Sequence, residues 1–326
     1  MRFLLRALLV IVASLLLLLV AVILLLPTSL GTSFVEDRLR NSVHPQLQIN
    51  GQVSLSVLPR LGLSLTDVTV PSGQGAYPLV SVNQAQWQLS WLPLLSDQWV
   101  FETIYLQGIQ VYRSQPTWQP LVEEFDGFQW IRDGRWWTST PEQSAESGAW
   151  HVVIKQALVE DVSVIAGDQL DQPLPVMTLK QAQFTADGRW PAVDGSQATF
   201  GLRELSVNNA DELGHMPALL EQLGISEDNA WDVRVFDSQW QMDSDALQLV
   251  ELQASGPWGE MSAKEGEIDV SSGAMAIPVK AVLTNAPKLK TRGLQVNVRR
   301  STLQFELTGT VSEPGVQWLT PQKSTP

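Results

Sequence analysis

The chain has 326 residues, of which 44% are hydrophobic and 17% are charged, a composition that excludes a disordered tail and provides enough apolar surface for a sizeable core. Its formal net charge of −13 would repel phosphate backbones, which argues strongly against nucleic acid as a partner. Because the sequence has no cysteine and only three histidines (His44, His151 and His215), disulfides and thiolate metal sites are excluded and little is left for metal or general-base chemistry.

The first predicted element is a membrane anchor. Residues 7–26 are apolar at all but one position, and Arg2 and Arg6 precede them. Twenty helical residues rise about 30 Å, the thickness of the hydrocarbon core of a bilayer, so we predict a transmembrane anchor over residues 1–29. The basic residues place its N-terminus in the cytoplasm. A cleaved signal peptide is the alternative, although its apolar region would be shorter, about 7–15 residues.

A short amphipathic helix is predicted to follow the anchor. Ser33 and Glu36 have the spacing of a capping box, and Val35, Leu39 and Val43 recur on one side of the helix. This helix would set the body against the membrane surface or form the first element of the domain, and the sequence leaves both interpretations open.

From residue 47 the hydrophobic pattern changes to that of a strand. Apolar and polar side chains alternate over residues 47–57, with Gly51 at one apolar position, which is typical of a strand with one apolar and one wetted face. A second strand begins at Leu61 and changes phase at Asp67. Because a one-residue slip turns the side chains to the other face, this change predicts a bulge near Thr66.

The same alternation recurs along the rest of the chain. Within one run the phase reverses after Gly108, and turn signals such as Asp194-Gly195 and Ser272-Gly273 separate the runs. Strands do not alternate with helical segments, so a parallel doubly wound sheet is not expected. Further strands are predicted within residues 85–91, 104–111, 231–235, 275–281, 294–298 and 303–311.

Two segments interrupt the strands. Residues 209–224 predict a helical insertion that ends at Gly224, and residues 117–137 are rich in aromatic side chains. The polar segment 138–148 is predicted to be a loop or linker. The predicted organisation is therefore a first β region at 30–137, a second β region at 149–320 and a disordered tail at 321–326.

The apolar face of these strands must be covered by another sheet, by helices or by a ligand. Helical sequence is scarce, with only a few short segments, so the fold is predicted to be mainly β. Either two sheets pack as a sandwich, or one extended antiparallel sheet curls into a trough with its apolar side inward. The pattern leaves both arrangements open.

Three motifs in the N-terminal part of the body carry a family resemblance. They are QINGQVSLSVLPRLGLSLTDVTV at 48–70, WLPLLS at 91–96 and IYLQGIQVYR at 104–113. Their order and spacing after an N-terminal anchor resemble the N-terminal region of the AsmA-like family of Gram-negative envelope proteins. The stretch FELTGTVSEP at 305–314 is similar to the strand that often closes such domains. The resemblance is good over about residues 1–113 and diffuse beyond them.

The resemblance implies a single-pass anchor in the inner membrane and a periplasmic body. The body would be a curled, groove-like β-sheet related to bridge-like lipid transfer proteins. The implied partners are phospholipid or lipopolysaccharide and other envelope proteins, and the implied roles are outer-membrane assembly and envelope lipid homeostasis.

If the apolar face is a groove, it would bind acyl chains by burying methylene groups, at about 0.8 kcal/mol each and without directional bonds. Each candidate side chain has an alternative interpretation as an ordinary core residue. The candidate acyl-chain contacts are Ile49, Val53, Leu55, Val57, Leu63, Leu65, Trp87, Leu89 and Trp91.

A second set of candidates lies in the aromatic segment, beside Arg132 and Arg135. Tryptophan and phenylalanine there would dock on a membrane interface or a partner, or would form cross-strand pairs that stabilise a hairpin. These residues are Phe125, Phe128, Trp130, Trp136 and Trp137.

No nucleophile elbow, Walker loop, dinucleotide glycine pattern or His-Glu-x-x-His motif occurs in the sequence. We therefore predict a non-enzymatic protein without cofactor or metal that binds or hands over lipids through an apolar β groove. The first alternative is a structural or adaptor subunit of an envelope or secretion complex, with its β domain packed on protein partners. The second is an enzyme acting on envelope polysaccharide, for which the sequence selects no carboxylate pair.

Overall fold

The computed structural model describes Ser33, Asp37 and most of the body of the chain. Ser33 and Asp37, within the predicted amphipathic helix, are helical and exposed. No helix of the described part is long and apolar enough to cross a membrane. The described body comprises residues 47–56, 60–71, 78–94, 98–113, 151–166, 175–187, 194–208, 231–243, 246–269, 272–283, 289–291, 294–296, 301–310 and 314–319.

Several predicted features lie outside these residues. They are the anchor at 1–29, the aromatic segment at 117–137, the linker at 138–148, the helical insertion at 209–224 and the tail at 321–326.

The described body consists of strands and one short helix. The helix is α1 (Trp91–Leu94). The strands are β1 (Gln48–Ile49), β2 (Val53–Ser56), β3 (Leu61–Pro71), β4 (Pro78–Leu89), β5 (Gln98–Arg113), β6 (His151–Ile154), β7 (Gln156–Ala166), β8 (Pro175–Ala186), β9 (Gln197–Val207), β10 (Trp231–Asp243), β11 (Ala246–Gly256), β12 (Gly259–Ala263), β13 (Gly266–Asp269), β14 (Met275–Leu283), β15 (Leu289–Thr291), β16 (Leu294–Val296), β17 (Ser301–Gly309) and β18 (Pro314–Trp318).

Sixteen of these strands form one sheet in the order β1-β3-β4-β5-β7-β8-β9-β10-β11-β12-β14-β17-β18, with β2, β6 and β13 beside this path and β15 and β16 in a separate pair. Neighbouring strands are antiparallel except where β5 meets β6 and β7 in parallel. That junction joins the two predicted β regions into one sheet. The prediction of a mainly β, mostly antiparallel fold with little helix is confirmed.

The strand register places the apolar side chains on one face across the whole sheet. Residues directly opposite one another on paired strands share a face, so a row can be followed from strand to strand. One such row, here called the apolar row, is Leu55, Leu63, Trp87, Ile104, Ala157, Phe184, Phe200, Ser238, Leu252, Ala263, Val279, Phe305 and Trp318.

The next row along the strands lies on the opposite face and is mainly polar. Successive strand residues point to opposite sides of a sheet, so this second row shows that the predicted alternation holds from one edge to the other. The row consists of Ser54, Ser64, Gln86, Tyr105, Leu158, Gln183, Gly201, Asp237, Gln253, Ser262, Lys280 and Gln304.

A crease crosses the sheet at the position where the sequence changes phase. Left-handed backbone occurs on four of the seven strands along it, at Asp67 (φ 52°) on β3, Gly108 (φ 66°) on β5, Asp161 (φ 55°) on β7 and Glu204 (φ 51°) on β9. The side-chain phase changes there on every strand from β3 to β10, so the apolar residues on both sides of the crease keep the same face. The crease comprises Asp67, Asn83, Gly108, Asp161, Lys180, Glu204 and Arg234.

The bulge predicted near Thr66 takes a different form. The pairing of β3 with β4 keeps one register across Asp67, because the side-chain phase of β4 changes at the same position. The extra residue lies instead between β1 and β2, where three residues face two on β3. Gly51 occupies this insertion, and a Cβ there would lie 2.5 Å from the Thr66 carbonyl oxygen. Glycine is therefore required at position 51 because the backbone of β3 passes so close to it. Gly51 is not, as predicted, a position on the apolar side of one long strand.

Two other strand predictions are corrected. Trp91 lies beyond β4 and begins α1, because Pro93 lacks the N–H that a strand ladder needs. Val235, predicted on an apolar face, lies opposite Arg203 and Ser255 on the polar face. The reason is that β10 also changes phase at the crease.

Replacing Gly108 by alanine is expected to lower the free energy of unfolding by about 2–3 kcal/mol. The left-handed φ costs an alanine about 1 kcal/mol, and the new Cβ would lie 2.8 Å from the Cβ of Asn83. Urea denaturation measures the loss. Gly195→Ala is the matched control, since its φ is 78° with no atom within 4 Å of the added Cβ. Equal losses at the two glycines would contradict the overlap with Asn83.

Candidate functional site

The candidate site is the apolar face, the side of the sheet on which the apolar row lies. Trp91 is exposed on α1, and Val57 lies outside the described residues, as do all five predicted docking aromatics. Leu65 and Leu89 are buried, and the remaining candidates are half-buried. The predicted acyl-chain contacts that lie together on this face are Ile49, Val53, Leu55, Leu63, Leu65, Trp87 and Leu89.

The apolar face has two parts with different burial. We call the part over β3, β4, β5, β7, β8 and β9 the open segment, and the part over β10, β11, β12, β13, β14, β17 and β18 the closed segment. Buried residues in the open segment are scattered, and Phe200 is 37% exposed. In the closed segment they form one continuous cluster: Leu249, Ala254, Trp258, Ala263, Ile277, Val279, Ala281, Leu283 and Phe305.

Near-complete burial of a sheet face needs atoms in front of the face as well as beside it. The side chain of Phe305 is 2% exposed and that of Leu249 is 3% exposed, and both belong to the continuous cluster. Protein therefore covers the closed segment continuously, whereas it covers the open segment only at separate positions such as Val164, which is also 2% exposed. The only other cluster in the described part is small, with Leu47 and Val70 at the β1 edge. The open segment therefore has no comparable core of its own among the described residues.

The two segments meet at β10, where a polar side chain interrupts the apolar row. Ser238 is 5% exposed; its hydroxyl donates to the Phe200 carbonyl oxygen (3.4 Å) and accepts from Trp240 Nε1 (3.0 Å). The Phe200 ring meets the Phe236 ring edge-on, with the centroids 6.0 Å apart. Phe236 and Trp240 pack against the closed cluster, so β10 is the first strand of that cluster.

A profile of the AsmA family matches residues 1–165, half of the chain. The chain belongs to the AsmA family. The resemblance found in the sequence is confirmed, and the match extends past residue 113 into β7. It contains all nine predicted acyl-chain contacts, whereas the closed segment lies outside it. No curated protein matches the chain.

The polar face of this AsmA family protein carries polar and charged side chains that pair with one another. A shallow concavity of about 380 Å³ lies there. Within the described residues no group of three or more histidine, aspartate and glutamate side chains could hold a metal ion. Sequence reasoning missed these pairs because the partners are 24 to 55 positions apart and are joined only by strand register. They are Lys180–Glu204 (2.9 Å), Arg203–Asp237 (2.8 Å) and Tyr105–Glu160 (2.8 Å).

A more sheltered pair crosses the parallel junction. Phe101 and Thr103 of β5 pair with consecutive residues of β4, so Glu102 between them is one extra residue on β5. Its carboxylate accepts from Lys155 Nζ at 2.8 Å and from the Ser90 hydroxyl. These two hydrogen bonds, with Lys155 the stronger cause, hold the pKa of Glu102 below its usual value. The pair therefore links β5 to the bend between β6 and β7.

We expect Glu102→Gln to lower the free energy of unfolding at pH 7 by about 1 kcal/mol, a modest loss because solvent reaches Lys155. The pKa of Glu102 is lower in the folded protein, so its stabilisation is present above the ordinary pKa of 4.5. It is lost as the pH falls through the folded pKa. Urea denaturation between about pH 5 and pH 3 should therefore show a weaker pH dependence in the variant than in the parent.

Glu204→Gln is the control for this pair, because Lys180 and Glu204 are both mostly exposed. Exposed ion pairs contribute little to stability, so this variant should follow the parent at every pH. An unchanged pH dependence in Glu102→Gln would contradict the assignment.

Proposed function

We propose that this AsmA family chain is a non-enzymatic envelope protein that binds or hands over lipids through its apolar face. The observation that carries the proposal is the apolar row. It crosses thirteen strands of one sheet, with Ser238 as its one polar member, while the open segment has no continuous core among the described residues.

An acyl chain is the ligand whose chemistry fits the open segment. Its strands offer leucine, valine, isoleucine and aromatic side chains, with polar groups on the other face, so binding would come from methylene burial at about 0.8 kcal/mol each. Six strands at about 4.8 Å spacing extend about 24 Å. One acyl chain fills one leaflet, about half of a 30 Å hydrocarbon core, so a whole lipid tail fits along the segment.

The proposed shape is a trough with the apolar face inside. Long antiparallel sheets twist and coil, and a curved sheet shields an apolar lining from water better than a flat one. The crease supports this shape, because it lets every strand from β3 to β10 bend while its apolar side chains keep one face.

The proposed location is the inner membrane, with the body in the periplasm. The support is the sequence of residues 1–29, with Arg2 and Arg6 before the apolar run, together with family membership. Phospholipid or lipopolysaccharide would be the cargo. The whole sheet extends about 58 Å at about 4.8 Å per strand, which is short for a path between two membranes, so the lipid would be passed to other envelope proteins.

An adaptor function is the second candidate, favoured by the edge strand β18. Trp318 on this strand is 47% exposed, and Leu319 directly after it is 40% exposed. Exposed sheet edges with apolar side chains are typical sites for pairing with another chain.

Native mass spectrometry and lipid extraction of the full chain, purified in detergent, test the proposal. We expect phospholipid or lipopolysaccharide to be retained in a fixed ratio to the protein. A folded chain that retains no lipid, in detergent or after incubation with phospholipid vesicles, would contradict lipid binding. A defined complex with an envelope protein, formed by that same lipid-free chain, would favour the adaptor.

A further inference from the structure

We infer that the lipid site of this chain is blind: hydrocarbon occupies the open segment, stops at β10, and does not continue to the β18 edge. This inference rests on the proposed lipid-binding function and adds a boundary to it. With this boundary, the chain would hold a lipid in a site that is closed at one end, and would not pass it along the whole sheet.

The first argument is occupancy of the closed segment by protein. Phe305 and Ala281 are each 2% exposed and lie on the apolar face, as does Leu249 at 3%. Protein interiors are packed as densely as organic crystals, so a tail could enter only by displacing these side chains. Protein therefore occupies this face continuously from β11 to β17, whereas over β3 to β9 the buried residues, such as Val164 at 2% exposed, are separate from one another.

The second argument is the hydrogen-bonded break at β10. Ser238 presents a polar group at this strand, and its hydroxyl is held between the Phe200 carbonyl oxygen and Trp240 Nε1. A lipid tail is bound by burying apolar surface, and a hydrogen-bonded hydroxyl offers it none, so the break does not favour further entry. Phe200, on β9, is the last open position before it, and its contact with Phe236 marks the end of the site.

The third argument is size. The open segment extends about 24 Å at about 4.8 Å per strand, which accommodates the length of a lipid tail without using the closed segment. Because one end is blocked, a lipid would enter and leave by the same side. The chain would then act as a receptor that passes its lipid to a further carrier.

Site-specific photocrosslinking in the full chain tests this inference. p-Benzoyl-phenylalanine is placed at Trp87 and Phe200 in the open segment, and at Leu307 and Trp318 in the closed segment. Gln86, adjacent to Trp87 on the polar face, provides the background. The purified protein is irradiated with vesicles of phosphatidylethanolamine and phosphatidylglycerol with radiolabelled tails, and lipid adducts are counted per protein.

Adducts at Trp87 and Phe200 are expected to exceed those at Leu307, Trp318 and Gln86 by at least about tenfold, a difference of about 1.4 kcal/mol in occupancy. Comparable adducts at Leu307 would overturn the blind end and leave lipid binding standing. Background labelling at every position would overturn both the inference and the proposed function. Leu307 is half-buried and Trp318 is exposed, so these two probes need no fully buried substitution.

Discussion

Truncating Phe305 to alanine is expected to lower the free energy of unfolding by about 3–5 kcal/mol, the range for a fully buried aromatic residue. The ring is 2% exposed and belongs to the closed cluster. It also meets the Trp318 ring edge-on at 5.7 Å. The loss combines the removed apolar surface with the cavity left behind, and urea denaturation followed by tryptophan fluorescence measures it.

Trp318→Ala is the matched control, because it removes the same aromatic contact from the exposed side. Trp318 is 47% exposed, so its loss should be about 1 kcal/mol. If Phe305→Ala also cost only about 1 kcal/mol, the closed segment would not be densely packed. The blind end proposed at β10 would then lose its main support.

Replacing Trp87 by aspartate is expected to reduce lipid retention at least about tenfold while the chain stays folded. Trp87 lies on the apolar row between Leu63 and Ile104 and is half-buried. A carboxylate there would have to be desolvated by bound hydrocarbon, which costs several kcal/mol, whereas in the lipid-free groove it stays in water. Lipid extraction measures retention, and circular dichroism shows whether the fold persists.

Gln86→Asp places the same charge one residue away on the polar face and should leave lipid retention unchanged. Unfolding of Trp87→Asp would identify the open segment as an ordinary protein core. Equal lipid retention in both variants would show that the apolar face does not bind the tails.

The strand faces could be predicted because their signal is local. Alternation over two residues fixes which side chains share a face, so the apolar row from Leu55 to Ile104 follows from the sequence and is found in the structure. The phase change after Gly108 could also be predicted, because the apolar side chains occupy even-numbered positions before this glycine and odd-numbered positions after it. The family resemblance rested on the order of such motifs and is confirmed by the profile match.

Features that depend on distant partners could not be predicted. The Glu102–Lys155 pair forms only because β5 and the β6–β7 bend are neighbours, and no local pattern identifies that pairing. The alternation of apolar and polar residues is also the same whether the apolar face binds a ligand or packs against the protein itself. Val279 in the closed segment and Ile104 in the open segment both lie in alternating stretches, and they differ only in the folded structure, where Val279 is buried and Ile104 is half-buried.

The parallel junction also has a consequence for how the chain assembles. Strands β1 to β5 and β7 to β12 each pair with near neighbours in sequence, so their contacts are local and can form early. The β5–β7 pairing closes a loop that contains residues 114–150, and its entropic cost delays it. Until it closes, each half presents an unpaired edge to other chains. The expected folding error of this protein is therefore mispairing at β5, between copies whose halves have formed but not yet joined.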